Sequence, residues 1–209
     1  MESATQDLNR AQRRKADNRR KVVAAAKRLF MRDGFEATTI SDIAETADVA
    51  KGSVFTHAPN KERLLVLVFE ELMHQWLDEA SQSARKGKHL TDRLNRFFDH
   101  IMSSMGEHPD LSAIFMRELP YARAELELEA IEHRIDAILG ELIDSAKTRK
   151  EIETDVSTFT LARNLFYTYY TAQYLWLAAG APPMELMVPT LREQIAVQVD
   201  PLKPSKSRR

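Results

Sequence analysis

The 209-residue chain contains no cysteine, which excludes disulfides, thiolate metal sites and thiol nucleophiles and fits a reducing compartment. Glycine is scarce at six residues, so no P-loop, dinucleotide-binding glycine pattern or G-x-S-x-G elbow can be drawn, and H-E-x-x-H is absent too. Strand-like alternation of apolar and polar residues is missing. The polar N-terminus MESATQDLNRAQRRKADNRRK has no apolar stretch behind its basic residues, so it does not read as a signal peptide, and a cytoplasmic location is expected. One long uncharged run exists, from Asn164 to Met184, but Asn164, Thr168, Thr171 and Gln173 interrupt it and Pro182-Pro183 breaks it. A membrane partner is therefore not expected, and neither catalysis, a cofactor nor a metal has support. Glu129, His133 and Asp136 share a helical face, yet the charges around them read as a solvated surface.

What is present is ordinary for a globular chain: 44% hydrophobic and 29% charged residues. The net charge of −1 hides a segregation. Residues 1–63 carry 13 Lys/Arg against 9 Asp/Glu, residues 64–202 carry 13 against 22, and the tail from Lys203 carries 4 against none. A basic front and an acidic body suit a polyanionic partner for the front.

Apolar residues at helical spacing predict an all-α chain of about nine helices. Val22, Ala26, Leu29 and Phe30 give a first helix from Arg19 that stops at Asp33-Gly34. Thr39, three residues before Asp42, is placed to cap a second helix whose inner face is Ile43, Ala44 and Ala47. A third runs from Ala50 to His57 and ends before Pro59; Asn60 can cap a fourth, Lys61 to about Ser83. Further helices are expected over Thr91–Gly106, Asp110–Leu119, Ala122–Lys150, Val156–Ala179 and Pro183–Val199. Residues 1–16 and 202–209 lack apolar periodicity and read as a mobile basic arm and tail. The domains expected between them are 17–63 and 64–201.

The second and third helices are too short to stand alone, and neither proline nor glycine separates them. Small Ala44 and Ala47 permit close approach, Ile43, Val49 and Val54 supply the contact, and Asp48 occupies the turn, where aspartate tolerates left-handed geometry better than most residues. This is the size pattern of a helix-turn-helix, whose first helix braces the second in the major groove of double-stranded DNA. The remainder, Lys51, Gly52, Ser53, Phe55, Thr56 and His57, combines hydrogen-bonding groups with a residue lacking a side chain, which suits close approach to a phosphate backbone.

The run FMRDGFEATTISDIAETADVAKGSVFTHAPNKERLL resembles the signature of the TetR family of bacterial transcriptional repressors, through Gly34-Phe35, Thr38-Thr39, Asp42-Ile43-Ala44, Val49-Ala50-Lys51-Gly52 and Asn60-Lys61-Glu62. The resemblance covers Arg19 to Phe69; the body matches in helix number and order. It implies a homodimer in which the third helix reads bases, the starts of the second and fourth touch phosphates, the last two helices dimerise, and a small molecule bound in the body weakens DNA binding. Carried onto this chain, Thr38, Thr39, His57 and Lys61 position the protein on phosphate, while Lys51, Gly52, Ser53, Phe55 and Thr56 face the groove. Two departures stand out: Ala50 where the family has a capping serine, and Phe55-Thr56-His57-Ala58 where it has Tyr-x-x-Phe.

Phe98, Met102, Met105, Phe115, Met116, Phe166 and Tyr170 are candidates to line an apolar effector cavity, with Asn164, Tyr170 and Tyr174 as polar orienters. The helix over Val156–Ala179 is apolar on two sides. Leu165, Tyr169, Ala172 and Trp176, with Leu191 and Ile195 of the last helix, are the expected subunit interface. The leading function is a ligand-responsive homodimeric repressor of a pseudo-palindromic operator. The alternatives are a DNA-binding factor of the same kind without a small-molecule effector, and an enzyme or carrier built on a helical bundle.

Overall fold

The computed structural model describes residues 2–122 and 128–204. Among the described residues the chain is all-α. The helices are α1 Glu2–Asp33, α2 Ile40–Thr46, α3 Lys51–Phe55, α4 Lys61–Arg85, α5 Leu90–Gly106, α6 Pro109–Ala122, α7 Leu128–Thr148, α8 Thr158–Ala178 and α9 Met184–Val199, followed by a 3-10 turn at Asp200–Leu202.

Helix α1 begins at Glu2, so residues 2–16 of the predicted arm are part of a helix instead of a loose extension. The reason lies in propensity: no glycine precedes Gly34 and no proline precedes Pro59, while the arm is rich in Ala, Arg, Gln and Lys. A helix needs no apolar stripe to continue along such a sequence. It stops at Gly34, whose φ of +84° is the left-handed conformation that glycine adopts without penalty. Helix α3 is shorter than predicted, and α6 continues through Pro120, which sits in its last turn. The tail is anchored where it starts: the Glu153 N–H donates to the Leu202 carbonyl at 2.7 Å. Residues 205–209 of the predicted tail, and 123–127 of the predicted seventh helix, lie outside the described residues.

The chain divides into two compact units. One comprises Met1–Glu71 with Ile114–Leu126, the other Leu72–Ala113 with Glu127–Arg209, so the boundary falls inside both α4 and α6 rather than at Arg63. In the first unit, Val22, Ala26 and Phe30 of α1 are buried with Ile43 and Ala44 of α2, Val54 of α3 and Leu64 and Leu65 of α4. Phe115 stacks on Phe69 with ring centroids 4.6 Å apart. The second unit is a bundle in which α5 packs closely on α7 and α9, and α8 on the same two helices. Its interior includes Leu94, Phe97, Phe98, Ile101, Met102, Leu139, Ile143, Leu165, Leu191 and Ile195. Among the described residues no helix is long and apolar enough to cross a membrane.

Candidate nucleic-acid interface

The turn between α2 and α3 is a Schellman motif. The Val49 N–H donates to the Ala44 carbonyl at 3.0 Å and the Asp48 N–H to the Glu45 carbonyl at 3.1 Å, with Asp48 in the left-handed region at φ 53°. The expected turn residue is therefore the one that takes the unusual backbone, and the two bonds satisfy carbonyls at the end of α2. At the other end of α2, Thr39 and Asp42 form a reciprocal capping box. The Asp42 N–H donates to Thr39 Oγ1 (3.2 Å), and the Thr39 N–H donates to the Asp42 carboxylate (3.0 Å). The Thr39 hydroxyl donates to that carboxylate as well, at 2.7 Å, and these bonds from Thr39 hold the Asp42 carboxyl below the usual carboxylate range.

Helix α3 is braced from beneath by Val54, which is fully buried, and by buried Ala58 just beyond it. Ala50 takes the extended N-cap geometry, φ −64° and ψ 142°, yet contributes no side-chain cap, as its methyl group dictates. Lys51, Gly52, Phe55 and Thr56 are exposed and Ser53 is half-buried. Phe55, 48% exposed, is an aromatic ring left in solvent on a five-residue helix. A Cβ on Gly52 would meet nothing within 4 Å, so no packing in the chain requires a glycine there. Thr56 donates its hydroxyl to the Ser53 carbonyl at 2.7 Å, which fixes its rotamer.

Of the four predicted phosphate contacts, two turn inward. Thr38 is buried and donates its hydroxyl to the Gly34 carbonyl at 2.8 Å, so it closes the α1–α2 loop and presents nothing outward. Lys61 turns inward too: its ammonium donates to the carbonyls of Phe35 (2.7 Å) and Thr38 (3.0 Å) and lies 4.2 Å from the Phe35 ring centroid. Neither role is visible in a linear pattern, because each partner is defined by the fold of the loop. Thr39 is exposed, at the start of α2, as expected. His57, half-buried, has its imidazole held below its ordinary value, first by burial and then by the charges of Lys15 and Arg19. That coupling brings the arm of α1 into the electrostatic neighbourhood of the end of α3. Arg10, Arg13, Arg14 and Lys15 are exposed on α1, and the sequence signal for them was the charge run itself.

In the second unit, Phe98, Met102 and Met105 of α5 are buried, with Phe98 stacked on Tyr169 at 5.1 Å. Phe166 and Tyr170 are half-buried with ring centroids 6.1 Å apart. Asn164 and Tyr174 are exposed. Phe115 and Met116 are buried and belong to the first unit, while the α5 candidates Phe98, Met102 and Met105 and those on α8 belong to the second.

The expected interface residues Leu165, Tyr169, Ala172, Trp176, Leu191 and Ile195 are all buried within the single chain. Their helices pack within the bundle, α8 against α7 and α9, and α9 against α5 and α8. Periodicity revealed two apolar faces of α8 without saying which one the chain itself covers. Left outside are Phe159, Tyr167, Tyr174 and Leu175 of α8, 54 to 62% exposed, and Leu186 and Val197 of α9, each 69% exposed. Leu186 and Val197 are eleven residues apart, three turns along one face. Arg163 lies over the rings of Phe159 and Tyr167 and pairs with Asp136 at 3.5 Å. Asp136 thus has a cationic partner, while Glu129 and His133 are exposed.

Two polar groups that sequence reasoning did not single out as binding groups point inward. The hydroxyl of Tyr169 and the side-chain nitrogen of Gln173 are buried and have no hydrogen-bond partner among the described residues. Burial pushes the Tyr169 phenol well above its ordinary value, so it stays a neutral donor.

Residues 22–68 match the family model described as bacterial regulatory proteins, tetR family. The chain is 23% identical over 152 residues to the fatty acid metabolism regulator protein of Bacillus subtilis, spanning 70% of this chain and 76% of that protein. It is 25% identical over 167 residues to the HTH-type transcriptional repressor KstR of Mycolicibacterium smegmatis, 79% of each. The solved structure of Thermus thermophilus FadR in complex with lauroyl-CoA shares the fold, with a TM-score of 0.63 at 23% identity over 86% of this chain and 90% of that one.

Proposed function

The chain belongs to the tetR family of bacterial regulatory proteins, and we propose that it is a dimeric transcriptional repressor that leaves its operator on binding an amphipathic small molecule. The observation that carries the DNA reading is α3: a short helix held by a Schellman turn and a buried valine, whose outward residues Lys51, Gly52, Ser53, Phe55 and Thr56 serve no purpose in the core. Lys51, Ser53 and Thr56 read base edges, and Gly52 and Phe55 approach the backbone closely. Thr39, His57 and the basic turns of α1 at Arg10, Arg13 and Arg14 supply phosphate contacts.

Dimerisation uses the outer faces of α8 and α9, where Tyr167, Tyr174, Leu175, Leu186 and Val197 are exposed. A two-fold dimer with one reading helix per chain calls for a pseudo-palindromic site with half-sites about one helical turn apart. The effector belongs to the second unit, whose interior is rich in Phe and Met side chains able to re-pack. A fatty acyl compound fits that interior, and the related repressor of T. thermophilus was solved with lauroyl-CoA. Because α4 contains residues of both units, a displacement of its far end can reach the reading unit, and a ligand that favours the DNA-incompetent arrangement then releases the operator.

The test is selection of bound duplexes from a random library, followed by affinity measurement on the selected site with and without lauroyl-CoA. Enrichment of an inverted repeat bound by two chains supports the reading. Failure to enrich any sequence, or enrichment of a lone half-site bound at full affinity by one chain, overturns it.

A further inference from the structure

Tyr169 and Gln173 are four residues apart on α8, and so stand one above the other on the same face. That face is turned into the second unit, where the two residues are 6% and 3% exposed. Buried polar groups in folded proteins are almost always satisfied. Here a hydroxyl and an amide nitrogen, both donors, are left without partners among the described residues, on adjacent turns of one helix.

Their surroundings suit an apolar chain. Phe98 of α5 stacks on Tyr169, and a Cβ placed on Gly106 of α5 would lie 3.6 Å from the Trp176 ring of α8. From Phe98 to Gly106 is about 12 Å along α5, and from Tyr169 to Trp176 about 10 Å along α8, at 1.5 Å per residue. The two helices therefore run side by side in the same direction, and Met102 falls at the level of Gln173. Met102 is fully buried, and its unbranched thioether is the kind of side chain that yields to a guest. α5 packs its backbone against α7 and α9, but meets α8 through large side chains.

We propose that Tyr169 and Gln173 are the polar recognition pair of the effector site, donating to the acyl oxygen of a bound fatty acyl compound whose hydrocarbon chain lies between α5 and α8 and displaces Met102. The proposal rests on the effector reading above and adds the residues and the functional group they grip. Leaving both donors unpaired in the free protein costs stability that the ligand restores, so the acyl group is bound in preference to bare hydrocarbon.

The experiment uses the full chain, its Tyr169→Phe and Gln173→Met variants, and three probes of one chain length: lauroyl-CoA, laurate and dodecyltrimethylammonium, which has no acceptor oxygen. Without probe, each variant is expected to melt at or above the wild-type temperature, because an unpaired polar atom has been removed. Each is expected to bind lauroyl-CoA or laurate about five- to tenfold more weakly, the share of one hydrogen bond, and the ammonium probe no more weakly than wild type does. Whether lauroyl-CoA or laurate binds more tightly identifies the source of the acyl group. A Tyr169→Phe variant that melts lower, or acyl binding unchanged in both variants, overturns the pair while leaving the effector reading standing. Absence of binding by wild type to both acyl probes overturns the acyl effector reading and the pair with it.

Discussion

The ammonium of Lys61 lies 2.7 Å from the backbone carbonyl oxygen of Phe35 and 4.2 Å from the centroid of the same residue's ring. One side chain thus ties the start of α4 to the loop between α1 and α2, and its second bond, to the Thr38 carbonyl at 3.0 Å, closes the loop beside it. The carbonyls of that irregular segment need donors, and a charged donor over an aromatic face supplies two.

Lys61→Met is therefore expected to lower stability by about 1.5–3 kcal/mol, the range for hydrogen bonds to a charged group. The salt dependence of operator binding should change little, since the ammonium faces the loop. Chemical denaturation and a salt titration of affinity check the two halves. A variant of unchanged stability whose salt slope falls by about 0.9, the share of one phosphate, would mean that Lys61 holds DNA instead.

The ends of α2 and α3 make a contrasting pair. Thr39 caps α2, so Thr39→Ala is expected to cost about 1 kcal/mol. Ala50 already has the backbone of an N-cap without the oxygen, so Ala50→Ser is expected to add about 0.5–1 kcal/mol with no rearrangement. Thermal unfolding of the two variants should move in opposite directions. A destabilised Ala50→Ser protein would count against the absence of a cap as the weak point of α3.

The helix count, the capping role of Thr39 and the left-handed turn at Asp48 were legible because each depends on residues close in sequence. Where the structure departs from the reading, most of the missing information was non-local. Lys61 carries the residue type of a phosphate ligand, but its ammonium donates to the carbonyls of Phe35 and Thr38, more than twenty residues earlier in the chain, while Thr38 donates to the Gly34 carbonyl close by. The two apolar faces of α8 were visible, yet which of them the chain itself would cover depends on the whole bundle, and the residues expected at the partner are buried within the single chain. The arm differs for another reason: without apolar periodicity it read as loose, whereas local propensity alone continues α1 back to Glu2.

The outer face of α8 and α9 gives a separable pair of outcomes for assembly. Tyr174→Glu combined with Leu186→Glu places charge on exposed apolar positions, 56 and 69% open in the single chain, and is expected to yield a folded monomer with far weaker operator binding. Leu165→Ala, at a fully buried site, is expected instead to cost about 2–5 kcal/mol of stability. Sedimentation and unfolding measurements distinguish the two. A double variant that remains dimeric would move the interface elsewhere.

The arm of α1 is expected to act through charge. Replacing Arg10, Arg13 and Arg14 together by Gln should reduce the slope of log affinity against log salt by about 0.9 for each phosphate they neutralise. Sequence preference should stay as it is, because the proposed reading of base edges belongs to α3. An unchanged slope would make the arm a solvated helix and nothing more.

His57 supplies the pH dependence. In the free protein its imidazole sits below its ordinary value, through burial first and the charges of Lys15 and Arg19 second. The unfolded chain therefore takes up a proton before the folded one does. Stability associated with His57 is complete above the unfolded value of about 6.5 and declines as the pH falls from there toward the lower folded value. Operator binding has the opposite sign. A phosphate beside the imidazole favours the cation, so the complex takes up a proton that the free protein lacks, and affinity should rise as the pH is lowered through that same window. His57→Gln keeps a donor in place but cannot titrate, and should abolish both trends. Affinity by fluorescence anisotropy between about pH 5.5 and 8 at fixed ionic strength, for wild type and variant, decides the matter; a wild-type affinity that is flat or falls toward acid would remove His57 from the phosphate contacts.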